Sequence, residues 1–157
     1  MGIDPGLANT GFGVIEYTGN QYTLLEYGCI ETDPRQDFSL RLSEIHTGLN
    51  LCLAKWQPDR VSVEDLFFCK NVKSAILVGQ ARGVCILSAS LQSVPVFEYT
   101  PLEIKQSVCG YGRGSKDQVG AMVKILLGAK EIPSPNHAAD ALAAAICCAN
   151  DSTLGHL

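Results

Sequence analysis

The sequence lacks several patterns that would place it in a common class. Its seven cysteines include no Cys-x-x-Cys pair and no Cys/His spacing typical of a zinc site. Because their number is odd, we expect most of them to be buried thiols in a reducing compartment. No Gly-Lys-Ser/Thr sequence ends a glycine-rich loop, which argues against a nucleotide P-loop. These absences exclude a zinc finger, a disulfide framework and a P-loop NTPase.

Charged residues are also scarce, at 18%, against 46% hydrophobic residues. A chain of 157 residues with this composition can bury one substantial core. We predict a single domain over residues 1–150 and a frayed tail over residues 151–157. No signal-peptide pattern begins at Met1, and no later apolar run is expected to approach membrane length. A cytoplasmic protein is therefore predicted.

The net charge of −4 conceals an uneven distribution along the chain. Residues 1–65 carry four basic and ten acidic side chains, whereas residues 66–130 carry eight basic and three acidic ones. A basic middle beside an acidic site suits an enzyme that holds phosphates while placing a metal ion on one of them. A solvated charged surface would show the same pattern, and charge alone favours that simpler explanation.

The hydrophobic pattern predicts a mixed sheet flanked by helices. Two β-rich runs joined at Gly19-Asn20 predict a hairpin. Helical spacing follows over residues 39–57 and again over residues 73–91, where Ala75, Gly79 and Gly83 are four residues apart. Such a stripe of small residues allows close approach of either the sheet or a partner subunit. Further along, Ser115 and Asn136 are predicted N-caps of two more helices.

Two short apolar runs end in a carboxylate, Met1 to Asp4 and Val61 to Glu64. If they are adjacent parallel strands, both acids lie at the carboxyl edge of the sheet, where α/β sheets place their ligands. On an alanine-rich helix, His137 and Asp140 share one face and complete the cluster. Such a cluster predicts two Mg²⁺ or Mn²⁺ ions for phosphoryl chemistry. Taken singly, each acid is better explained by a turn cap or an exposed position, but the three together are hard to explain as surface residues.

A glycine-rich loop precedes Lys116 and contains Arg113. Beside a helix N-terminus, these two cations are candidates to hold a nucleic-acid phosphate. Phe67 and Phe68 follow Glu64 closely, as core residues or as a stacking platform for an unpaired base.

The chain resembles RuvC-type Holliday junction resolvases in motifs that occur in the same order and span nearly its whole length. They are Gly2-Ile3-Asp4-Pro5-Gly6, Glu64 to Phe67, Lys70-Asn71, Gly79-Gln80-Ala81-Arg82-Gly83-Val84, Gly110-Tyr111-Gly112 with Lys116, and Ala138-Ala139-Asp140-Ala141-Leu142-Ala143.

The resemblance implies a ribonuclease-H-like fold with a mixed five-stranded sheet flanked by helices. It also implies a homodimer that binds a four-way DNA junction and nicks two strands symmetrically with Mg²⁺ or Mn²⁺. The products would carry 5′-phosphate and 3′-hydroxyl ends. The resemblance also implies a branch-migration motor complex as a partner.

By position, Asp4, Glu64 and Asp140 resemble the family's metal-binding carboxylates. His137 occupies the fourth acidic position, where many members have aspartate, and would bind metal or relay a proton. Lys105 and Lys116 resemble the two lysines that the family has beside its active site. Phe67 resembles the aromatic residue that inserts among bases near the crossover. Lys70 and Arg113 are the further DNA-binding candidates.

The first strand departs from the family pattern, since Met1 stands where the family strand already has residues behind it. We expect either that the chain is truncated at its start or that the first strand is a short stub. Two rival functions are an actin-like or sugar-kinase-like ATPase, which shares an Asp-x-Gly turn, and a junction-binding scaffold with a decayed site. The first would need two such domains, and His137 is the reason to consider the second.

Overall fold

The computed structural model of the chain describes residues 1–65, 72–131 and 133–151. Its strands, in chain order, are β1 (Gly2–Asp4), β2 (Asn9–Thr18), β3 (Gln21–Glu31), β4 (Val61–Glu64) and β5 (Val96–Tyr99). They form one sheet of order β3-β2-β1-β4-β5. The pairs β1–β2 and β2–β3 are antiparallel, whereas β1–β4 and β4–β5 are parallel. This confirms the predicted mixed five-stranded sheet.

Five helices flank the sheet over the described residues. They are α1 (Phe38–Trp56), α2 (Val72–Leu91), α3 (Pro101–Cys109), α4 (Lys116–Leu126) and α5 (Asn136–Asn150). The helices α1 and α2 lie close to the ranges that the hydrophobic spacing predicts, and α4 and α5 begin close to the predicted N-caps.

The sheet separates two hydrophobic cores, because successive residues of a strand point to opposite faces. Ile3, Val61 and Val63 point to one face, where they pack with residues of α1 and α2. On the other face, α3, α4 and α5 share a core with Tyr99 of β5. The side chains that follow Ile3 and Val63 therefore fall on the α5 side.

The predicted hairpin is confirmed. Gly19 and Asn20 both have positive φ, at 58° and 64°. This is the combination that a two-residue type I′ turn requires, and its twist matches that of the flanking strands. The pairing of β2 with β3 shifts register once, between Val14 and Ile15.

Where the structure describes the helix start, two helices begin with a capping box. At α4, the Gln118 N–H donates to the Ser115 hydroxyl, and the Ser115 N–H donates to the Gln118 side chain. Thr100 and Glu103 make the same reciprocal pair at α3. The predicted cap at Ser115 is confirmed.

The predicted cap at Asn136 is wrong. Pro135 is the N-cap of α5 and Asn136 is its first helical residue. Pro135 has the extended ψ of 172° that suits an N-cap, and its carbonyl accepts from the Ala138 N–H. The Asn136 side chain lies one position too late to cap, so α5 begins without a side-chain cap.

Helix α2 corrects the expectation that no apolar run approaches membrane length. By length and composition alone, its 20 residues would suffice to cross a membrane. A single helix of this kind is weak ground for a membrane span, because core helices of globular proteins meet the same criterion. However, only 22% of its most apolar window is buried inside the structure. The exposed apolar side chains on it are Val72, Ile76, Leu87 and Leu91.

The described cysteines are free thiols, most of them inside the molecule. Cys52, Cys85, Cys147 and Cys148 are buried, and Cys29 and Cys109 are half-buried. Burial raises the pKa of Cys52 to about 11, so this thiol is protonated at neutral pH. For these residues the prediction of buried thiols is largely confirmed.

Candidate metal centre

The strands β1 and β4 bring two acids to one edge of the sheet. Their parallel pairing sets Gly2 beside Ser62 and Ile3 beside Val63. Asp4 and Glu64 are the last residues of these strands. Because the side chains of neighbouring strands in register point to the same face, both carboxylates face α5.

Helix α5 supplies the remaining groups, and two glycines let it lie against the sheet. A Cβ at Gly11 would stand 2.0 Å from the His137 carbonyl oxygen, and one at Gly2 would stand 1.9 Å from the Ala141 carbonyl oxygen. Any larger residue would push the helix away. Through this close contact, His137 and Asp140, three residues apart on the helix, reach the end of β1.

The resulting cluster is compact. His137 Nδ1 lies 2.7 Å from Asp4 Oδ2. One ligand atom each of Asp4, His137 and Asp140 lies within 4.8 Å of the others, a spacing that suits a metal ion. Glu64 is not part of this 4.8 Å group but lines the same cavity, whose volume is about 350 Å³. All four predicted ligands therefore lie in one cavity.

Two of the predicted cations line this cavity as well. Lys116 Nζ lies 2.6 Å from Asp140 Oδ2, and its side chain is 61% exposed. Lys105, from α3, lines the cavity alongside it. Arg113 is exposed in the loop before α4 and does not line the cavity.

The electrostatics of the cavity are those of crowded acids. Burial, together with the charges of Asp4 and Asp140, raises the pKa of Glu64 to about 7. Burial also raises the pKa of Asp4, although the hydrogen bond from His137 opposes this shift. The hydrogen bond to Asp140 raises the pKa of Lys116 and keeps its ammonium charged. Each of these carboxylates gains from a nearby positive charge.

The donor set fits a divalent cation. Carboxylate oxygens are the ligands that Mg²⁺ and Mn²⁺ prefer, and an imidazole nitrogen is better matched to Mn²⁺ than to Mg²⁺. Three carboxylates and one histidine also give the negative charge that such an ion neutralises.

The sequence interpretation gave no role to Arg82, although its motif was recognised. In the structure, this residue of α2 contacts the main chain of Glu64 and the side chain of Asp65. The predicted DNA-binding residues Phe67 and Lys70 lie outside the described residues.

A mixed five-stranded sheet, with acids at the ends of two adjacent parallel strands, defines an α/β protein of the ribonuclease-H-like class with an acidic centre. The family model described as crossover junction endodeoxyribonuclease RuvC matches residues 1–148. The chain belongs to this family.

Individual proteins of that description are similar over nearly the whole chain. A crossover junction endodeoxyribonuclease RuvC from Desulforamulus reducens is 50% identical over 156 residues, which are 99% of this chain and 96% of the relative. The structure of Thermus thermophilus RuvC is 36% identical, with a TM-score of 0.90, and covers 98% of this chain and 95% of its own. T. thermophilus RuvC in complex with Holliday junction substrate is also 36% identical, with a TM-score of 0.92. The match covers 98% of this chain and 94% of that chain.

These likenesses confirm the resemblance and the ribonuclease-H-like fold that the sequence predicts. They give the rival ATPase interpretation no support. The division into a domain over residues 1–150 and a tail, and the roles of individual site residues, stay predictions.

Proposed function

We propose that this chain is a Holliday junction resolvase of DNA recombination and repair, a structure-selective endonuclease that nicks two strands of a four-way junction symmetrically. One observation carries the proposal. Asp4, Glu64, His137 and Asp140 meet in one cavity with two lysines, in a chain whose residues 1–148 match its family.

Asp4, Glu64 and Asp140 would hold two divalent cations per site, Mg²⁺ with Mn²⁺ as a substitute. When bound, such ions lower the pKa of an attacking water and stabilise the attacking and leaving oxygens of an in-line displacement. Water adds to phosphorus as the bond to the 3′ oxygen breaks, and the 3′ oxygen leaves with a proton. The products carry 5′-phosphate and 3′-hydroxyl ends.

Lys116 and Lys105 supply positive charge where the transferred phosphate gains negative charge. An ammonium group has three donors, so Lys116 can hold Asp140 with one and a phosphate oxygen with another. Donors fixed in this way stabilise developing charge without reorganisation during the reaction.

His137 completes the site with a group that both donates and accepts. In the neutral imidazole, an Nδ1–H that donates to Asp4 leaves Nε2 as an acceptor. Nε2 is then the atom that would bind a cation or take a proton from the attacking water. The Nδ1 hydrogen bond also orients the Asp4 carboxylate.

Symmetric nicking needs two sites related by a two-fold axis, and α2 offers the face for a homodimer. Ile76 and Leu87 are exposed on this helix. Gly83 lies between them, and a Cβ built on it meets no atom within 4 Å. Glycine in a helix interior costs about 1 kcal/mol relative to alanine, and packing among the described residues does not require it. Close approach of a second copy accounts for both features.

The remaining assignments rest on the family resemblance. Phe67 would insert among bases near the crossover, and Lys70 and Arg113 would hold DNA phosphates. A branch-migration motor complex would be the functional partner, and the cytoplasm the location.

Cleavage of a synthetic four-way junction by an Asp4→Asn protein tests the function. The substitution keeps the side chain's shape and removes its charge. We expect the cleavage rate with Mg²⁺ to fall by about 10²- to 10³-fold, as when a group that stabilises transition-state charge is removed. Junction binding in Ca²⁺ should persist.

Asp59→Asn is the matched control, because this exposed aspartate precedes β4 at the opposite end of the strand. It should cleave like the wild type. Equal activity of the Asp4→Asn protein would refute the mechanism. Junction binding by the wild type without cleavage in Mg²⁺ or Mn²⁺ would instead indicate a decayed scaffold.

A further inference from the structure

Arg82 of α2 lies at the carboxyl ends of β4 and β5. Its Nε donates to the Glu64 carbonyl oxygen at 3.4 Å, and a terminal nitrogen donates to Asp65 Oδ1 at 3.3 Å. The same nitrogen pairs with the Glu98 carboxylate of β5. The Arg82 side chain is only 15% exposed, whereas its two acidic partners are about half exposed, at 46% and 49%. The rigid guanidinium fork thus joins three elements at one point.

Arg82 and the metal centre lie on opposite faces of the sheet. Strand alternation points Asp65 and Glu98 toward α2, while the Glu64 side chain points toward α5. Arg82 therefore meets Glu64 only through its main chain. It does not line the cavity and does not compete for a cation.

The end of β4 requires a contact that holds its main chain in place, and we call the Arg82 contacts its tether. Glu64 is the last residue of a four-residue strand, and the charges of Asp4 and Asp140 repel its carboxylate. Beyond the strand, the Asp65 N–H donates to the Tyr99 carbonyl at 2.8 Å, which ties β4 to β5 but not to a helix. The Arg82 contacts add the link to α2.

We propose that Arg82 is a positioning residue, which fixes the Glu64 carboxylate relative to Asp4 and Asp140 by holding the main chain of β4. The inference rests on the proposed nuclease function and adds to it a residue outside the cavity. Misplacing a reacting group by 1 Å can cost about 100-fold in rate. Ion pairs with half-exposed acids, by contrast, contribute little to stability. The expected signature of Arg82 is a large effect on rate with a small effect on folding.

The experiment compares Arg82→Gln and Arg82→Lys with an Arg60→Gln control. Arg60 precedes the amino end of β4, where its guanidinium carbon lies 6.0 Å from the centre of the Phe97 ring. The control thus removes an arginine from the same strand pair at the end far from the metal centre. Four quantities are measured: the melting temperature, junction affinity in Ca²⁺, the single-turnover cleavage rate against metal concentration, and Mn²⁺ affinity by calorimetry without DNA.

For Arg82→Gln we expect a single-turnover rate about 10- to 100-fold lower and junction affinity within about twofold of the wild type. Mn²⁺ affinity should fall by about tenfold, as when an outer group that orients a ligand is lost. Arg82→Lys keeps one charged donor and should recover part of both losses. Arg60→Gln should match the wild type in rate and Mn²⁺ affinity, even if its melting temperature falls.

Wild-type rate and Mn²⁺ affinity in Arg82→Gln would overturn the inference. So would losses that follow the melting temperature equally in the Arg82 and Arg60 variants. If Arg82→Gln does not fold, Arg82→Lys and Glu98→Gln decide by the same measurements, since each weakens the tether without removing it. A wild type that cuts no junction would refute the proposed function. The Mn²⁺ affinities of the variants would still show whether Arg82 positions the Glu64 carboxylate.

Discussion

Helices α2 and α5 are both apolar and rich in small residues, yet the fold uses them in opposite ways. Ten residues of the 15-residue α5 are buried, whereas four residues of the 20-residue α2 are buried. α5 lies directly on β1 and β2, while α2 packs on α1 and the ends of β4 and β5. The small residues of α5 are mostly buried against the sheet, whereas Gly83 of α2 is exposed and a Cβ built on it meets no atom within 4 Å.

The difference separates two kinds of constraint. Contacts of α5 determine whether the metal centre forms at all, because its first turns carry His137 and Asp140. Among the described residues, the outer face of α2 carries no group of the metal centre, and it is the face proposed above for a second copy. Substitutions in the two regions should accordingly change the stability of the chain by different amounts, and some should raise it while others lower it.

The largest effect is expected from Gly11→Ala, on the α5 side. The new Cβ would stand 2.0 Å from the main-chain oxygen of His137, so the helix start has to move. Overpacking of this kind costs about 3 kcal/mol. The melting temperature should fall by roughly 6–12 °C at this chain length, and Mn²⁺ affinity should fall with it. Thermal unfolding and calorimetry measure the two losses, and wild-type values for both would show that α5 tolerates displacement.

A smaller effect of opposite sign is expected from Glu64→Gln, which relieves the crowding of acids beside α5. Because the folded pKa of about 7 lies above the ordinary 4.5, metal-free wild type loses stability as pH rises from 4.5 through 7. In chelator at pH 8, the variant should be more stable by about 1–2 kcal/mol after solvent screening.

Thermal unfolding from pH 4.5 to pH 8 checks this expectation, with the exposed Glu16→Gln as control. The gain should disappear at the acid end. Mg²⁺ should stabilise the wild type more than the variant, because the variant has lost a ligand. A variant that is less stable than the wild type at pH 8 would contradict the electrostatic account.

The smallest effect is expected from Gly83→Ala, the same substitution placed on α2. The new methyl group meets open space, and alanine is the better helix former by about 0.5–1 kcal/mol. At high dilution the chain should become slightly more stable, while self-association weakens because the methyl group occupies the interface. Denaturant unfolding and sedimentation equilibrium measure the two changes. Unchanged association would remove Gly83 from the proposed interface.

Local pattern predicts most of this fold. The turn residues Gly19-Asn20, the capping sequence at Ser115 and the helical spacing of α1 each act over a few neighbouring residues, so the sequence shows them directly. The error at Asn136 has the same origin, since a good capping residue lies next to a proline that starts the helix first. The exposure of α2 was not predictable, because burial depends on what packs against a helix rather than on its composition.

Part of the site was predictable, because the sequence shows where a short apolar strand ends. An acid after a short apolar run identified Asp4 and Glu64, and helical spacing joined His137 to Asp140. Arg82 was missed because its contacts come from β4 and β5 and are distant in sequence. The closeness of α5 to Gly2 and Gly11 also depends on tertiary packing, although glycines in strand interiors are a usable signal of close approach.

Lys116 is the first residue of α4, a position where the partial positive charge of a helix end favours an acid over a base. The capping box at Ser115 supports the helix start without help from the lysine. Placing the cation there thus costs some helix stability, which the Asp140 carboxylate, 2.6 Å from Lys116 Nζ, recovers in part and a second anion would recover further. A DNA phosphate in the cavity should therefore slow amide hydrogen exchange in the first turn of α4, making the order of that turn a reporter of substrate occupancy.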